Sequence, residues 1–156
     1  MIDVDIPSFG KLCLEHLVLD YNGTLAQDGV LLPGIREGLS VLAECLTVHV
    51  LTGDTFGKVR QGIEGISCTC VVLAAEDQAQ AKAAYVERLG PAKVVCIGNG
   101  RNDRLMLQKA ALGIVVIQGE GAAAESLMAA RIICRDVQDA LELLLSPLRL
   151  KATLRG

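Results

Sequence analysis

The chain has 156 residues, a formal net charge of −3 and a hydrophobic content of 51%. That apolar fraction excludes a disordered chain, and the length suits one domain of ordinary size spanning residues 1–156. The sequence contains no long run of Lys or Arg and no basic stripe interleaved with aromatic residues. We therefore expect no nucleic-acid partner.

Apolar periodicity and turn residues predict strands and helices that alternate along the chain. Residues 1–12 are predicted to form an extra N-terminal strand or arm. Strands are predicted at residues 14–21, 46–51, 68–73, 94–97, 113–117 and 131–134, and a short hairpin or flap at 25–32. Helices are predicted from 33 or 34 to 44, from 54 or 55 to 63, and at 77–89, 103–110, 120–128 and 137–145. This alternation predicts an α/β fold with a doubly wound parallel sheet.

The N-terminal segment and the cysteines bear on the cellular compartment. The first 16 residues lack the cationic start and apolar core of a signal peptide, and no apolar run approaches the length that crosses a bilayer. We therefore expect a cytoplasmic protein without a membrane partner. The six cysteines include no C-x-x-C pair and lie mostly in apolar runs, which favours buried free thiols over zinc ligands or disulfides.

The first polar motif is the aspartate that ends the apolar run of residues 17–20. Asp20 is followed at once by the turn Asn22-Gly23-Thr24, and the glycine lets the backbone approach a ligand closely. In a parallel sheet, ligands bind at the edge where strands end, so Asp20 is a candidate nucleophile or metal ligand. An ordinary strand-to-turn signal is the alternative.

Three further polar motifs follow later strands. Thr52-Gly53-Asp54 comes after the second main strand, Lys82 lies in the helix after the third, and the segment 98–103 (GNGRND) follows the fourth. Taken singly, they read as a helix cap, a solvated lysine and a G-x-G without the third glycine of a dinucleotide fingerprint. Because all four motifs converge on one sheet edge, together they predict a phosphate site with a metal beside it.

This order of motifs resembles the haloacid dehalogenase (HAD) superfamily over about residues 14–148. Within that superfamily the chain is most similar to the phosphorylation domain of P-type ATPases, without any membrane part. The resemblance implies a Rossmann-like HAD core in a three-layer α/β/α sandwich. No cap domain is expected, because only 27 residues separate Thr24 from Thr52 and 29 separate Thr52 from Lys82.

The resemblance also implies the site residues and the cofactor Mg²⁺. Asp20 would form an aspartyl phosphate, Lys82 would neutralise its charge, and the fourth motif would hold magnesium. Oxygen ligands of this kind are those that magnesium prefers. The implied residues are catalytic Asp20, Asn22 and Lys82; phosphate-binding Thr52, Gly53 and Asn102; and metal-binding Asp20, Asn22, Asn99 and Asp103.

Two positions depart from the family pattern. Asn22 stands where the phosphatases usually carry an acid–base aspartate, and Asn99 stands where the loop usually supplies a carboxylate to magnesium. P-type ATPases also lack the first of these aspartates. The resemblance therefore implies a slow phosphohydrolase or phosphotransferase acting on a phosphorylated small molecule or a phosphoprotein.

The same motifs allow other functions. A phosphate-binding or regulatory domain with little turnover is the main alternative, and an unrelated α/β binding module is another. A two-component receiver fits poorly, because the first main strand ends in a single aspartate rather than an acidic pair.

The broad apolar surface of the last predicted helix has two interpretations. Its apolar residues cover more than one helical stripe: Val137, Ala140, Leu141, Leu143, Leu144, Leu145 and Leu148. Such a surface indicates either a deeply buried helix or the subunit interface of a homo-oligomer.

Overall fold

A computed structural model describes residues 1–54 and 56–156. In this part of the chain the strands are β1 Ile2–Ile6, β2 Gly10–Leu14, β3 His16–Asp20, β4 Ala26–Gln27, β5 Val30–Leu31, β6 Thr47–Thr52, β7 Thr69–Val72, β8 Val94–Gly98, β9 Leu112–Val116 and β10 Ile132–Cys134. The α-helices are α1 Ile35–Leu42, α2 Val59–Gly62, α3 Gln78–Leu89, α4 Arg104–Lys109, α5 Ala124–Ala129, α6 Val137–Leu144 and α7 Pro147–Leu154. Short 3₁₀ turns span Pro91–Lys93 and Arg101–Asp103.

Six strands form one parallel sheet in the order β10-β9-β8-β3-β6-β7. The chain runs outward from β3 through β6 to β7 and then returns to the other side of β3 with β8. The strand order therefore reverses beside β3, and such a switch point is where open α/β sheets bind ligands. The predicted doubly wound parallel sheet is confirmed.

Different helices cover the two faces of the sheet. Along β3, Leu17 and Leu19 pack in one apolar cluster with residues of α1, α2, α6 and α7. Val18, which points to the opposite face, packs in a second cluster with residues of α3 and α4. The sheet thus lies between two helical layers, as the three-layer prediction requires.

The N-terminal segment forms a hairpin in which β1 and β2 pair antiparallel. Its buried side chains Ile2, Val4 and Ile6 join the larger apolar cluster together with Leu150 of α7. The prediction of a single extra strand or arm was therefore incomplete. Helix α7 was not predicted: Leu148 was assigned to the surface of the preceding helix, whereas Pro147 occupies the first position of a new one.

The helix predicted to begin at residue 54 or 55 starts later, at Val59. Asp54 has a left-handed backbone with φ of 47°, Gly57 has φ of 65°, and the N–H of Gly57 closes a turn onto the carbonyl of Asp54. Helical geometry is therefore impossible at residue 54, and residue 55 lies outside the described residues. Asp54 still accepts a hydrogen bond from the N–H of Val59 at 3.1 Å.

The predicted flap is present as the antiparallel pair β4–β5, with Asp28 and Gly29 at its tip in left-handed conformation. Between Thr24 and Thr52 the chain forms only this flap, α1 and β6. Within the described residues no cap domain is inserted there. Among the same residues, no helix combines the length and apolarity that spanning a membrane requires.

The core buries most of the apolar surface of α6. Val137, Ala140, Leu141 and Leu144 are each no more than 2% exposed. Only Leu145 and Leu148 extend outward, and Leu148 belongs to α7. The buried-helix interpretation therefore accounts for most of this surface, and a homo-oligomer stays a prediction.

We predict that Leu150→Ala lowers the free energy of unfolding by about 2–5 kcal/mol, because it opens a cavity where α7 packs against the hairpin. Leu150 is 0% exposed, whereas Leu148 on the same helix is 83% exposed. Urea unfolding of both alanine variants measures the effect. Leu148→Ala should change stability by no more than about 0.5 kcal/mol. Equal effects of the two substitutions would contradict the packing of α7 described above.

Candidate active site

One lysine and two aspartates form a buried charged cluster at the sheet edge. The Lys82 ammonium donates to Oδ1 of Asp20 at 2.5 Å and to Oδ1 of Asp103 at 2.6 Å. Lys82 and Asp103 are 0% exposed and Asp20 is 6% exposed. Since charges buried this deeply persist only when they are paired, the cluster is a specific arrangement and not a solvated surface contact.

Three separate elements position the members of this cluster. Asp20 is the last residue of β3, Lys82 lies in the second turn of α3, and Asp103 ends the 3₁₀ turn that follows β8. Gly98 leaves room for this arrangement, since a Cβ there would lie within 2.7 Å of the Asp103 side chain. The first, third and fourth sequence motifs therefore meet, as predicted.

The charges in the cluster set one another's protonation. Burial raises the pKa of Asp20, the negative charge of Asp103 raises it further, and Lys82 opposes both, with a result of about 7. Burial alone would lower the pKa of Lys82, but the two carboxylates outweigh it and hold that pKa above its ordinary value. Lys82 is thus a permanent cation at neutral pH, and an added cation beside Asp20 would favour its ionised form.

Asp103 also organises the loop that contains it. Its Oδ2 accepts from the backbone N–H groups of Asn99 at 3.0 Å and Gly100 at 2.9 Å. The hydroxyl of Ser126 donates to the carbonyl of Gly100 at 2.6 Å. With Lys82 on its other oxygen, the Asp103 carboxylate accepts three hydrogen bonds from protein donors. These contacts give Asp103 a role in holding Lys82 and the loop, and its predicted role as a metal ligand stays a prediction.

The side-chain amide of Asn99 links this loop to the turn after Asp20. Its Oδ1 accepts from the hydroxyl of Thr24 at 3.3 Å, and its Nδ2 donates to the carbonyl of Gly121 at 2.9 Å. Gly23 packs directly against the same amide, where any Cβ would collide with it. Asn99 therefore holds the turn, and its Oδ1 retains a second lone pair that is available to a metal.

Gln118 supports the same turn from the end of β9. Its Nε2 donates to the carbonyls of Gly23 at 2.9 Å and Thr24 at 2.6 Å, and its Oε1 accepts from the N–H of Val137 at 2.9 Å. The turn that follows Asp20 is thus fixed by two amide side chains from two neighbouring loops. No pattern in the sequence pointed to Gln118.

The predicted phosphate-binding residues lie at the end of β6 and in the fourth motif. The hydroxyl oxygen of Thr52 accepts from the N–H of Asp54 at 2.9 Å, which leaves the hydroxyl proton as a donor. Asn102 donates from Nδ2 to Oε1 of Gln78 at 2.8 Å. Gly53 packs against the same Gln78 side chain, where a Cβ would clash. Gln78 therefore lies between two predicted phosphate ligands, although it belongs to none of the four sequence motifs.

The oxygen groups at the site fit a magnesium ion. Oδ1 of Asn22, two residues after Asp20, is buried and has no hydrogen-bond partner within the described residues. The same residues contain no cluster of three or more His, Cys, Asp or Glu side chains that could hold a metal. Mg²⁺ suits such a site, because it takes one or two carboxylates and completes its shell with phosphate oxygens and water.

A second polar group that the sequence did not reveal lies on the α3 face of the sheet. Nδ1 of His16 is 3.2 Å from Nε2 of His49, and Nδ1 of His49 is 3.0 Å from the hydroxyl of Tyr85. Burial and then the neighbouring His16 lower the pKa of His49. Thirty-three positions separate the two histidines in sequence, so only strand pairing could bring them together.

Comparison with known sequences gives relatives without a known function. No protein-family model matches the chain. The uncharacterized protein MJ0073 of Methanocaldococcus jannaschii is 51% identical over 63 residues, which are 40% of this chain and 68% of that protein. The uncharacterized protein MJ0072 of the same organism is 41% identical over 39 residues, which are 25% of this chain and 89% of that protein.

Solved structures give the fold. The cobalt-bound deoxy-D-mannose-octulosonate 8-phosphate phosphatase of Haemophilus influenzae has a TM-score of 0.72 at 14% identity, covering 86% of this chain and 88% of that one. The 3-deoxy-D-manno-octulosonate 8-phosphate phosphatase of Moraxella catarrhalis, in complex with magnesium and phosphate, has a TM-score of 0.67 at 17% identity, covering 86% and 87%. A Legionella pneumophila protein assigned to HAD subfamily III A has a TM-score of 0.67 at 21% identity, covering 90% and 86%.

These likenesses agree with the parallel sheet of this chain, whereas the closer resemblance to P-type ATPases stays a prediction. The chain belongs to the family of MJ0073 and MJ0072, and it has the fold of the haloacid dehalogenase superfamily.

Proposed function

We propose that this protein is a magnesium-dependent phosphohydrolase or phosphotransferase that acts through an aspartyl phosphate on Asp20. The observation that carries this proposal is the buried contact of Lys82 with Asp20 and Asp103 at the edge where β3 and β8 end. The likeness in fold to magnesium- and cobalt-bound phosphatases supports it. An aspartate held next to a fixed ammonium is suited to attack a phosphoryl group, whose negative charge would otherwise repel it.

In the first step, an oxygen of the Asp20 carboxylate attacks phosphorus, and the bond from phosphorus to the substrate oxygen breaks. The substrate leaves as an alcohol once that oxygen has taken a proton from solvent water, since the Asn22 amide cannot supply one. Lys82 offsets the negative charge that remains on the phosphorylated side chain, while the hydroxyl of Thr52 and the N–H of Gly53 bind phosphoryl oxygens. Such fixed donors stabilise a transition state without reorganising during the reaction.

The residues that would hold Mg²⁺ are Asp20, Asn22 and Asn99. When bound, the ion supplies positive charge that shields the phosphoryl oxygens from the attacking carboxylate. The contacts of Asp103 give it the task of fixing Lys82.

In the second step, water attacks phosphorus and releases inorganic phosphate and the Asp20 carboxylate. Asn22 cannot accept the proton of that water, because an amide is not a base at neutral pH. Release should therefore be slow, and a second phosphoryl acceptor could compete with water. The same feature favours the alternative function, a regulatory domain that binds or retains phosphate with little turnover.

The absence of an inserted cap among the described residues bears on the substrate. The flap β4–β5 follows the turn after Asp20 and takes the place of a larger insertion. The Tyr21 hydroxyl donates to the carbonyl of Gly29 at 3.3 Å, and Glu120 accepts from the N–H of Asp28 at 3.1 Å, so both contacts hold the flap in place. A phosphorylated small molecule or a phosphoprotein is the substrate class we propose.

A panel of phosphorylated metabolites, phosphopeptides and p-nitrophenyl phosphate, assayed with Mg²⁺ or Mn²⁺, tests the proposal. We expect phosphate release that depends on the metal and is abolished by Asp20→Asn, which removes the nucleophile but keeps the size of the side chain. Release that survives Asp20→Asn would overturn the mechanism. A change in conformation on adding beryllium fluoride, without turnover of any substrate, would instead support the regulatory alternative.

Asn22→Asp should raise the turnover of p-nitrophenyl phosphate by at least about tenfold, because it supplies part of the 10²–10⁴-fold contribution typical of general acid–base catalysis. The matched comparison is the double variant with Asp20→Asn, which should be inactive. Unchanged turnover in Asn22→Asp, measured in an enzyme that is otherwise active, would show that proton transfer does not limit the rate.

Lys82→Met should abolish activity and also lower the free energy of unfolding by about 3–5 kcal/mol, because it leaves two carboxylates buried without their cation. Lys109→Met is the control, since Lys109 pairs with Glu87 at the surface and such pairs contribute about 0–1 kcal/mol. Denaturant unfolding and the phosphatase assay provide the two readouts. A Lys82→Met variant as stable as Lys109→Met would contradict the buried ionic contact.

A further inference from the structure

We propose that Gln78 is an additional phosphate-site residue whose side-chain amide donates a hydrogen bond to the phosphoryl group. This inference rests on the proposed function and extends it to a residue outside the four sequence motifs. Gln78 is half-buried at the first position of α3. It is therefore close to the surface from which a substrate would enter.

The helix directs Gln78 toward the same region as Lys82. The two residues are four positions apart in α3, and residues at this spacing lie on the same helix face. Lys82 contacts Asp20 at 2.5 Å. Gln78 is one turn closer to the helix start, where its side chain contacts the loops after β6 and β8.

The Gln78 amide bridges the two loops that carry predicted phosphate ligands. Its Oε1 accepts from Nδ2 of Asn102 at 2.8 Å. Its Cδ and Oε1 would each lie 3.1 Å from a Cβ added to Gly53, and its Nε2 would lie closer still. The amide therefore packs on the backbone of Gly53, whose N–H is itself a predicted phosphate donor.

The Nε2 group of Gln78 has unused hydrogen-bonding capacity. It carries two N–H donors, and the described residues provide no acceptor for either of them. A phosphoryl group bound between Gly53 and Asn102 would offer such an acceptor. Oε1 can keep its hydrogen bond from Asn102, so Gln78 would orient Asn102 and donate to the phosphate at the same time.

A matched set of variants separates this role from a structural one. Gln78→Glu keeps an oxygen that accepts from Asn102, but it removes the donor and adds a negative charge that repels phosphate. Gln78→Met removes the donor without adding charge. Gln80→Glu is the control, because it makes the same chemical change at an exposed residue two positions further along the same helix.

Titration calorimetry with inorganic phosphate in the presence of Mg²⁺ measures the effect. We expect the Kd to rise about tenfold for Gln78→Met and further for Gln78→Glu, the loss expected for a hydrogen bond to a charged group. Gln80→Glu should leave the Kd unchanged. The melting temperature of Gln78→Glu without phosphate should match that of Gln80→Glu, because the contact with Asn102 survives.

The outcomes distinguish this inference from the proposed function. If the wild-type protein binds phosphate and Gln78→Met and Gln78→Glu bind it as well as Gln80→Glu does, Gln78 is not a phosphate ligand, although the proposed function stands. If Gln78→Met loses stability and affinity together while Gln78→Glu, which keeps the contact with Asn102, retains full affinity, the residue is only a structural latch. If the wild type neither binds phosphate nor releases it from any substrate, both ideas are overturned.

Discussion

The ionic contact between Lys82 and the two aspartates is the interaction on which the site depends. An ammonium removed from water is stable only if its donors find acceptors, and here two carboxylates from different elements provide them. The contact therefore ties β3, α3 and the loop after β8 to one another. It also sets the charges at the strand-end edge, because the two carboxylates keep Lys82 protonated, while burial and the charge of Asp103 raise the pKa of Asp20 to about 7.

Amides surround this charged centre. Asn99 and Gln118 fix the turn after Asp20, and Gln78 bridges the loops opposite it. Amides are neutral, so they hold these loops without adding charge to the cluster of one lysine and two aspartates. A phosphate dianion adds two negative charges. The proposed Mg²⁺ would supply the positive charge that the side chains at this site do not provide. The use of amides in place of carboxylates thus underlies both the proposed slow turnover and the proposed need for metal.

The sequence predicted the parallel sheet well because buried parallel strands are continuous apolar runs, such as the run ending in Asp20, and because each is followed by a polar turn. The sequence motifs also predicted that Asp20, Lys82 and Asp103 lie at the same edge of the sheet, where the structure shows them in contact. The sequence did not predict where α2 begins, since no residue pattern marked the left-handed turn at Asp54 that precedes the helix. Gln78 and Gln118 were missed for a related reason: an isolated glutamine carries no signal until the loops around it are assembled.

The packing of the N-terminal hairpin against α7 constrains when the hairpin can complete its folding during synthesis. β1 leaves a ribosome before Leu150, which covers it and follows about 140 residues later. At about 5–20 residues per second, that interval is roughly 7–30 seconds. During that interval the apolar face of the hairpin lacks its contact with α7, so the nascent protein exposes a hydrophobic surface to chaperones until α7 has been made.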